Sequence, residues 1–205
     1  LLQMKILHVG KFWPGKGGME KMMYDIVHGF SSRGDRCDLL CASAENGPGV
    51  ISINENGRII CTPTWFTLAA TKITPAMIWK LKKICNDYDI LHIHHPDPMA
   101  NLALLLSGYK GKVILHWHSD ILKQKNLLKV YKPLQDWMIR RADLVVGTSP
   151  VYLKESPHLV NAYDKMACLP IGVQKIVPDS EKVKEIRELY PGKKIVFSVG
   201  RLVGY

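Results

Sequence analysis

Residues 4–20 read MKILHVGKFWPGKGGME and set the expected architecture of the chain. The run 5–9 is short and apolar, which is typical of a strand buried on both faces of a parallel sheet. A turn rich in glycine and proline follows, and residues 19–27 then place apolar side chains at helical spacing. The stretch therefore predicts a strand, a glycine-rich turn and a helix.

This strand–turn–helix unit is suited to binding an anion. Glycine lets the backbone approach a ligand closely, and the first turn of a helix presents unpaired N–H groups. A tight turn with no ligand is the alternative, and the residues alone leave both open. The spacing of Gly15, Gly17 and Gly18 fits neither GxGxxG nor GxxxxGK[ST], which disfavours a dehydrogenase or a P-loop nucleotidase.

Apolar runs and segments of helical period alternate along the rest of the chain. Strands are expected at 36–42, 50–53, 58–61, 89–93, 112–116, 143–148, 166–169 and 194–199, and helices at 74–84, 99–107, 127–141, from 150 and at 181–190. This alternation predicts an α/β fold, a Rossmann-like doubly wound parallel sheet, with Asn56-Gly57 marking a β-hairpin insertion. The uncharged segment 64–71, which carries Trp65 and Phe66, is expected to be buried, with a partly exposed loop that touches lipid or acceptor as the alternative.

The carboxyl-terminal residues predict how the chain is divided. Residues 1–172 form the expected Rossmann-like domain, and 173–192 a linker with one helix. Residues 193–205 read KKIVFSVGRLVGY and resemble the first strand of a second, truncated domain, because no helix follows them. The chain is therefore expected to be the first domain of a larger protein.

Composition and charge favour some classes of protein and disfavour others. Five scattered cysteines without a CxxC pattern favour a reducing cytoplasm over a disulfide framework. The longest apolar run, 99–108, is about half the ~20 residues that a membrane span requires. The net charge is +10, and residues 106–154 hold nine Lys or Arg against three Asp. Such basic helices suit an anionic membrane surface, a phosphorylated substrate or a solvated face, whereas nucleic acid is disfavoured because no recognised binding motif accompanies them.

Polar residues follow four of the predicted parallel strands, whose carboxyl ends meet at the edge of a sheet where ligands bind. The four loops are 15–18, 94–97, 117–120 and 148–149. The runs HIHH and HWH suggest a metal site, but only His94, His95 and His118 are expected in loops, and metal is disfavoured because the downstream carboxylates of such sites are missing. No GxSxG, Cys/His or paired-carboxylate pattern appears, so the edge suits a sugar and its phosphates better than hydrolysis.

Taken together, several segments resemble the amino-terminal half of glycosyltransferase family 4, the retaining GT-B nucleotide-sugar transferases. They are FWPGKGGMEK, HIHHPDP, HWHSDI, RADLVVGTSP, LPIGV and FSVGRLV, in the family's order. The runs HSDILKQK and YKPL look most like bacterial mannosyl- or rhamnosyltransferases of polysaccharide or O-antigen assembly.

The resemblance implies roles for single residues. Gly17 and Gly18 would face the donor phosphate, and Arg201 would pair with the pyrophosphate. His118 would be the catalytic residue that hydrogen-bonds the donor sugar. The positions assigned to the acceptor or sugar side are Lys16, Glu20, His95, Asp97, Ser119, Asp120 and Ser149.

The function implied by the resemblance belongs to the parent protein, as a group 1 glycosyltransferase. It would transfer a hexose, such as mannose, with retention from a nucleotide-diphosphate sugar to a glycan or lipid-linked acceptor. No cofactor or divalent metal is expected, and the location would be the cytoplasm or the inner face of the plasma membrane. The chain alone is expected to be inactive. Two alternatives stay open: a metal-dependent hydrolase or deacetylase using His94, His95 and His118, and a non-catalytic sugar-phosphate binding module.

Overall fold

The computed structural model describes residues 3–13, 17–43, 49–68, 71–121, 125–172 and 177–200. The chain divides into two compact units, Leu1–Ile171 and Gly172–Tyr205. In chain order the strands are β1 (Lys5–Trp13), β2 (Arg36–Ser43), β3 (Val50–Asn54), β4 (Gly57–Thr62), β5 (Phe66–Leu68), β6 (Thr71–Ile73), β7 (Ile90–His95), β8 (Lys112–Trp117), β9 (Leu144–Gly147) and β10 (Met166–Cys168). The helices are α1 (Gly18–Ser31), α2 (Pro75–Ile84), α3 (Pro98–Ser107), α4 (Lys125–Arg141), α5 (Pro150–Glu155) and α6 (Ser180–Leu189), and short 3₁₀ turns lie at Cys85–Asp87 and Tyr163–Lys165.

The first unit is built on one sheet with the strand order β10-β9-β8-β7-β1-β2-β4-β3. Every neighbouring pair is parallel except β3 with β4, which are antiparallel and joined by the turn that Asn56-Gly57 predicted. Strands β5 and β6 pair only with each other in a separate two-stranded sheet. The predicted parallel sheet with a hairpin insertion is confirmed.

The two faces of the sheet have different hydrophobic cores. On the face that we call the apolar face, Leu7, Leu91 and Leu115 pack with side chains of α2, α3 and α4. On the opposite face, Ile6 and neighbouring strand residues pack against Met23 and other side chains of α1. Helices therefore cover both faces, as the doubly wound prediction required, and successive residues of one strand contribute to opposite cores.

Strand β7 is longer than expected. The prediction ended this strand at Ile93 and placed His94 and His95 in a loop, which is wrong. The ladder to β8 continues through the pairs His94 with His116 and His95 with Trp117. The extra pairing extends the regular alternation of side chains to the carboxyl edge of the sheet.

The segment 64–71 was expected to be buried, and this expectation is also wrong for its described part. Trp65, Phe66 and Leu68 are 70%, 55% and 53% exposed. Strands β5 and β6 form their own small sheet instead of joining the main one, and among the described residues these three side chains stay largely exposed.

The second unit contains helix α6, close to the predicted range, and Asp179 caps it by accepting hydrogen bonds from the backbone N–H groups of Glu181 and Lys182. The strand expected at 194–199 does not form, since 193–200 have no regular secondary structure. Val196 and Phe197 are 94% and 82% exposed. A strand needs a neighbour to satisfy its backbone groups, and the described residues of this unit supply none.

Within the described ranges, no helix has both the length and the apolar character that crossing a lipid bilayer demands.

Candidate functional site

The edge formed by the carboxyl ends of the strands gathers the loops that the sequence singled out. Strands β1, β7, β8 and β9 are consecutive neighbours and run parallel, so the loops that follow them meet at one edge. The ends of β1 and β7 lie in close contact: a Cβ added to Gly10 would stand 3.0 Å from the Cβ of His94. The loops 94–97, 117–120 and 148–149 follow these neighbouring strands, whereas the 15–18 loop lies partly outside the described residues and the roles of all these residues stay predictions.

The start of α1 closes one side of this edge. Gly17 is the N-cap residue, and a Cβ there would collide with the carboxylate of Glu20, so only glycine fits without rearrangement. Glu20 is buried in the first helical turn, where a negative charge interacts favourably with the helix N-terminus. Gly18 is the exposed first residue of the helix. Lys16, like Arg201 at the other end of the chain, lies outside the described residues.

His118 follows directly after β8 and is half-buried. Its Nε2 lies 2.8 Å from Nδ1 of His94, and its ring stacks on His116 with the centroids 4.1 Å apart. Its backbone N–H donates to the carbonyl of His95 at 3.1 Å, which continues the β7–β8 ladder. The imidazole is therefore held from below by two buried rings while part of it reaches the surface.

Beneath His118 lies a continuous layer of imidazoles on the face opposite the apolar face, which we call the histidine face. It consists of His8, His92, His94, His116 and His118. Parallel register places the rings together, because His8 pairs with His92 and His94 pairs with His116. Two hydrogen bonds link three of the rings, His8 Nδ1 to His94 Nε2 at 2.9 Å and His94 Nδ1 to His118 Nε2 at 2.8 Å. A third joins His92 Nε2 to His116 Nδ1 at 3.2 Å.

Burial keeps the four buried imidazoles of this layer uncharged. Desolvation, followed by the effect of the neighbouring His116, lowers the pKa of His8 to about 3, and desolvation lowers the pKa of His116 to about 4. The pKa values of His92 and His94 also fall well below the ordinary value, first because of burial and then because of the adjacent rings. At neutral pH these four rings are neutral imidazoles, each with one donor and one acceptor nitrogen.

The spacing of the imidazole nitrogens could suit a metal ion, but the orientation of the rings does not. Two triplets, His8/His92/His94 and His94/His116/His118, bring one nitrogen of each ring within 4.8 Å of the others. The rings are stacked, however, with His92 and His94 only 6° from parallel. The lone pairs of an imidazole lie in the ring plane, so parallel stacked rings do not aim them at one point as a tetrahedral site needs. The shared hydrogen bonds also occupy three of the nitrogens of His94 and His118.

His95 lies on the other side of the sheet from His94 and His118. It is fully buried, and its ring stacks on Trp117 at a centroid distance of 3.8 Å. Its Nδ1 is 3.3 Å from the hydroxyl of Tyr131, which also hydrogen-bonds Asn101. His94, His95 and His118 therefore do not converge on a common point, so the geometry of these three residues does not support the hydrolase or deacetylase alternative.

Two of the remaining predicted positions, Asp97 and Asp120, have structural partners. Asp97 caps α3 by accepting from the backbone N–H groups of Met99 at 3.0 Å and Ala100 at 3.2 Å. Asp120 accepts from Trp117 Nε1 and from Ser156 Oγ, each at 2.8 Å. Ser149 is the half-buried N-cap residue of α5, and its side chain makes no capping hydrogen bond. Ser119 is exposed beside His118.

Sequence reasoning missed the residues that support His118. His8 was not singled out, although it occupies an even position like the other members of the histidine face and alternation in parallel strands was available as a signal. Tyr152 was also missed; its hydroxyl accepts from the backbone N–H of Asp120 at 2.6 Å and ties the 117–120 loop to α5. This contact joins residues 32 positions apart, so no local sequence pattern predicts it.

Two cavities of the described residues differ in their position relative to the candidate site. An apolar groove of about 290 Å³ lies between the β5–β6 sheet, α3 and α4, and includes Leu68, Met99, Leu127 and Tyr131. Tyr131, which lines this groove, also contacts His95 through its hydroxyl. A larger cavity of about 500 Å³ lies by Asp38 and Arg58, near the amino-terminal ends of β2 and β4. That is the edge opposite the one where open parallel sheets bind ligands.

Comparison with known proteins gives consistent matches. Residues 16–174 match the family model described as Glycosyltransferase Family 4. The chain is 32% identical over 189 residues to the O-antigen chain mannosyltransferase C of Escherichia coli, covering 90% of this chain and 51% of that protein. It is 26% identical over 175 residues to the D-rhamnosyltransferase WbpZ of Pseudomonas aeruginosa, covering 84% of this chain and 45% of that protein. The chain thus spans about half the length of these relatives.

Solved structures show the same fold at low sequence identity. Sucrose-phosphate synthase from Thermosynechococcus elongatus superposes with a TM-score of 0.60 at 16% identity, over 84% of this chain and 49% of that chain. Anabaena Alr3699/HepE in complex with UDP and glucose superposes with a TM-score of 0.57 at 17% identity, over 92% and 50% of the two chains. The fold is therefore that of one lobe of GT-B glycosyltransferases.

Proposed function

This chain belongs to glycosyltransferase family 4, and on that premise we propose that it is the acceptor-side lobe of an enzyme that transfers a hexose from a nucleotide-diphosphate sugar to a glycan. The observation that carries the proposal is the position of His118, half-exposed at the carboxyl edge after β8, which only β7 separates from the strand that leads to the glycine turn. The names of the two relatives, a mannosyltransferase and a rhamnosyltransferase, support mannose or a related sugar as the group transferred.

In this proposal the donor lies across the carboxyl edge. Gly17 and Gly18 supply backbone N–H groups near the start of α1 for the phosphates, Arg201 pairs with the pyrophosphate, and His118 hydrogen-bonds the sugar. The HepE complexes with UDP and with UDP-glucose support a nucleotide sugar as the donor class. Catalysis then depends on positioning and charge stabilisation, with retention of configuration and without a divalent metal.

The acceptor is proposed to be a lipid-linked glycan. The apolar groove beside Tyr131 has the chemistry to hold part of a hydrocarbon chain, and the exposed Trp65 and Phe66 lie on the same β5–β6 segment as Leu68 at its border. Helices α2 and α4 also carry positive charge, from Lys80, Lys82, Lys83, Lys129 and Lys132, the last of which is paired with Asp136. Aromatic and basic side chains together favour peripheral contact with an anionic bilayer at the cytoplasmic face.

The test of the transfer reaction compares two forms of the protein. The 205-residue chain alone, given a nucleotide-diphosphate mannose and a mannosylated lipid acceptor, is expected to show no turnover. An enzyme in which the same chain is followed by a donor-binding lobe is expected to transfer the sugar in the presence of EDTA. Turnover by the chain alone would contradict the two-lobe proposal, and acceptor binding without transfer by the two-lobe form would favour a binding module. Loss of activity with EDTA, restored by a divalent cation, would contradict metal independence.

Membrane contact has a separate test. The chain is expected to sediment with phosphatidylglycerol vesicles and not with phosphatidylcholine vesicles, and to be released by salt, because exposed charges are screened within about 8 Å at physiological ionic strength. The variant W65S/F66S should bind more weakly. Phe197→Ser is the control, since Phe197 is an aromatic residue in the second unit that is exposed at least as much as Trp65 and Phe66. Equal binding by both variants would contradict the proposed surface.

A further inference from the structure

The hydrogen-bonded chain His8–His94–His118, which we call the relay, has a direction that the structure allows to be inferred. A neutral imidazole carries one N–H and one lone pair. Burial keeps His8 and His94 neutral, and two hydrogen bonds join the three rings. His94 stands in the middle and can donate only once and accept only once. Both bonds must therefore run from His8 toward His118, or both must run the other way.

The buried end of the relay distinguishes the two arrangements. Nε2 of His8 is fully buried and has no hydrogen-bond partner among the described residues. If the bonds ran from His118 toward His8, this atom would carry a buried N–H with no acceptor. If they run from His8 toward His118, it carries only a lone pair. A buried N–H without a partner is the rarer and more costly of the two, so the outward direction is favoured.

A second pair on the same face follows the same rule. His116 also has a buried Nε2 without a described hydrogen-bond partner, and its Nδ1 contacts Nε2 of His92 at 3.2 Å. Placing the lone pair on the orphaned atom puts the proton of His116 on Nδ1, from where it is donated to His92. The histidine face as a whole is then consistent with one tautomer, in which each ring is protonated on Nδ1.

We propose that His8 and His94 act as positioning residues that hold His118 in the tautomer with its proton on Nδ1. The inference rests on the proposed function in one respect, namely that His118 meets the donor sugar. Because Nε2 of His118 accepts the bond from His94, the proton of His118 is on Nδ1. Where this N–H meets the substrate, it can donate only to an atom with a lone pair, such as a sugar hydroxyl or a phosphate oxygen. A donor of this kind strengthens its bond as negative charge grows on that oxygen during the reaction.

The tautomer can be read directly, without substrate, by nitrogen NMR of the 205-residue chain labelled with ¹⁵N-histidine at pH 7. The His118→Gln variant assigns the signals of His118 by their disappearance. We expect the Nδ1-protonated pattern for His8, His94 and His118, together with a coupling across the bond from His94 Nδ1–H to His118 Nε2. A proton on Nε2 of His118, or an averaged pattern showing both tautomers, would overturn the proposal.

A pair of variants separates positioning from simple packing. His94→Phe removes the middle of the relay, and it should average the His118 signals and lower kcat of the two-lobe enzyme about tenfold, a usual cost of losing an orienting partner. His92→Phe is the control, because His92 is equally buried and stacks on His94 at 4.8 Å but lies outside the relay. It should leave the His118 pattern unchanged. An unchanged pattern in His94→Phe would contradict the relay even if activity fell.

These readouts also separate this inference from the proposed function. If the Nδ1 pattern is found but the two-lobe enzyme transfers no sugar, the relay stands and the function is wrong. If transfer occurs but His118 is protonated on Nε2, the function stands and the relay is wrong. A His94→Phe chain that does not fold would leave the spectrum of the unsubstituted chain to decide.

Discussion

The two faces of the central sheet are built from the same strands and have opposite chemistry. Leu115 and His116 are adjacent in β8 and both are fully buried, yet one joins the apolar core and the other joins the imidazole layer. The same alternation separates Ile93 from His94 in β7 and Leu7 from His8 in β1. One backbone ladder therefore supports a stabilising core on one side and a polar network that reaches the site on the other.

The difference between the two faces separates residues that mainly stabilise the fold from residues that lead to the candidate site. Burying a leucine removes apolar area from water and stabilises the fold. Burying an imidazole costs free energy unless another polar group forms a hydrogen bond with it. On the histidine face, the partners are other histidines, and the network ends at His118 on the surface. Substitutions on the two faces should accordingly have different consequences, and four predictions follow from the largest to the smallest.

The largest effect is expected on the apolar face. Leu115→Ala should lower the free energy of unfolding by about 2–5 kcal/mol, because it removes buried methyl groups and leaves a cavity. Chemical denaturation with urea measures the change. The matched variant is His116→Phe, one residue away on the other face, which puts a somewhat larger aromatic ring in place of the imidazole, leaves no cavity and should cost less. A larger loss for His116→Phe than for Leu115→Ala would break the distinction between the faces.

The next effect concerns activity. His118→Ala in the two-lobe enzyme should slow sugar transfer by about 10²-fold, as loss of a positioned contact to the reacting sugar does. Its unfolding free energy should change little by comparison, since the side chain is only half-buried. Steady-state kinetics supply the measurement, with the exposed His28→Ala as the control for loss of an imidazole elsewhere. A transfer rate close to that of the unsubstituted enzyme would show that His118 has only a structural role.

The third prediction concerns how the free energy of unfolding depends on pH through the buried histidines of the histidine face. Because the pKa of His116 falls to about 4 in the folded chain and the unfolded value is about 6.5, the unfolded state binds more protons between these values. Stability should therefore be complete above pH 6.5 and decline as the pH falls toward 4, by about 2 kcal/mol for this residue between pH 7 and 5. His8, with a pKa of about 3, adds a loss of the same sign.

The measurement for the third prediction is the urea midpoint at pH 7 and at pH 5. His116→Phe should show a smaller decline than the unsubstituted chain, since it has one fewer buried imidazole to protonate on unfolding. Leu115→Ala should keep the full decline. Equal declines in all three proteins would show that the imidazole layer does not govern the acid sensitivity.

The smallest effect distinguishes a helix cap from a binding residue. Asp97→Ala should destabilise the chain by about 1 kcal/mol, because α3 loses its N-cap. Asp97→Ser keeps a side-chain oxygen that can cap and should recover most of that loss. Thermal unfolding measures stability, and acceptor KM of the two-lobe enzyme measures binding. If the serine variant is stable but has a raised KM, the carboxylate also contacts the acceptor.

Local patterns were sufficient for most of the architecture. The strand and helix of residues 4–20, the hairpin at Asn56-Gly57 and the helix opened by Pro75 depend on neighbours in sequence, and each forms where the pattern indicated. The segment at 64–71 was misjudged because its hydrophobicity predicted burial, while burial depends on whether a second layer is available. The strand expected at 194–199 failed for the related reason that it has no partner strand in its unit.

The candidate site divides in the same way. The histidines, the glycine turn and the convergence of loops at one edge follow from residue type, alternation and the rule that parallel strands end together. Which imidazole contacts which could come only from the folded chain, because strand register joins His8 to His94 and His94 to His118 across 86 and 24 positions. Alternation assigns a side chain to a face, but only pairing between distant strands assigns it a partner, and the relay is made of partners.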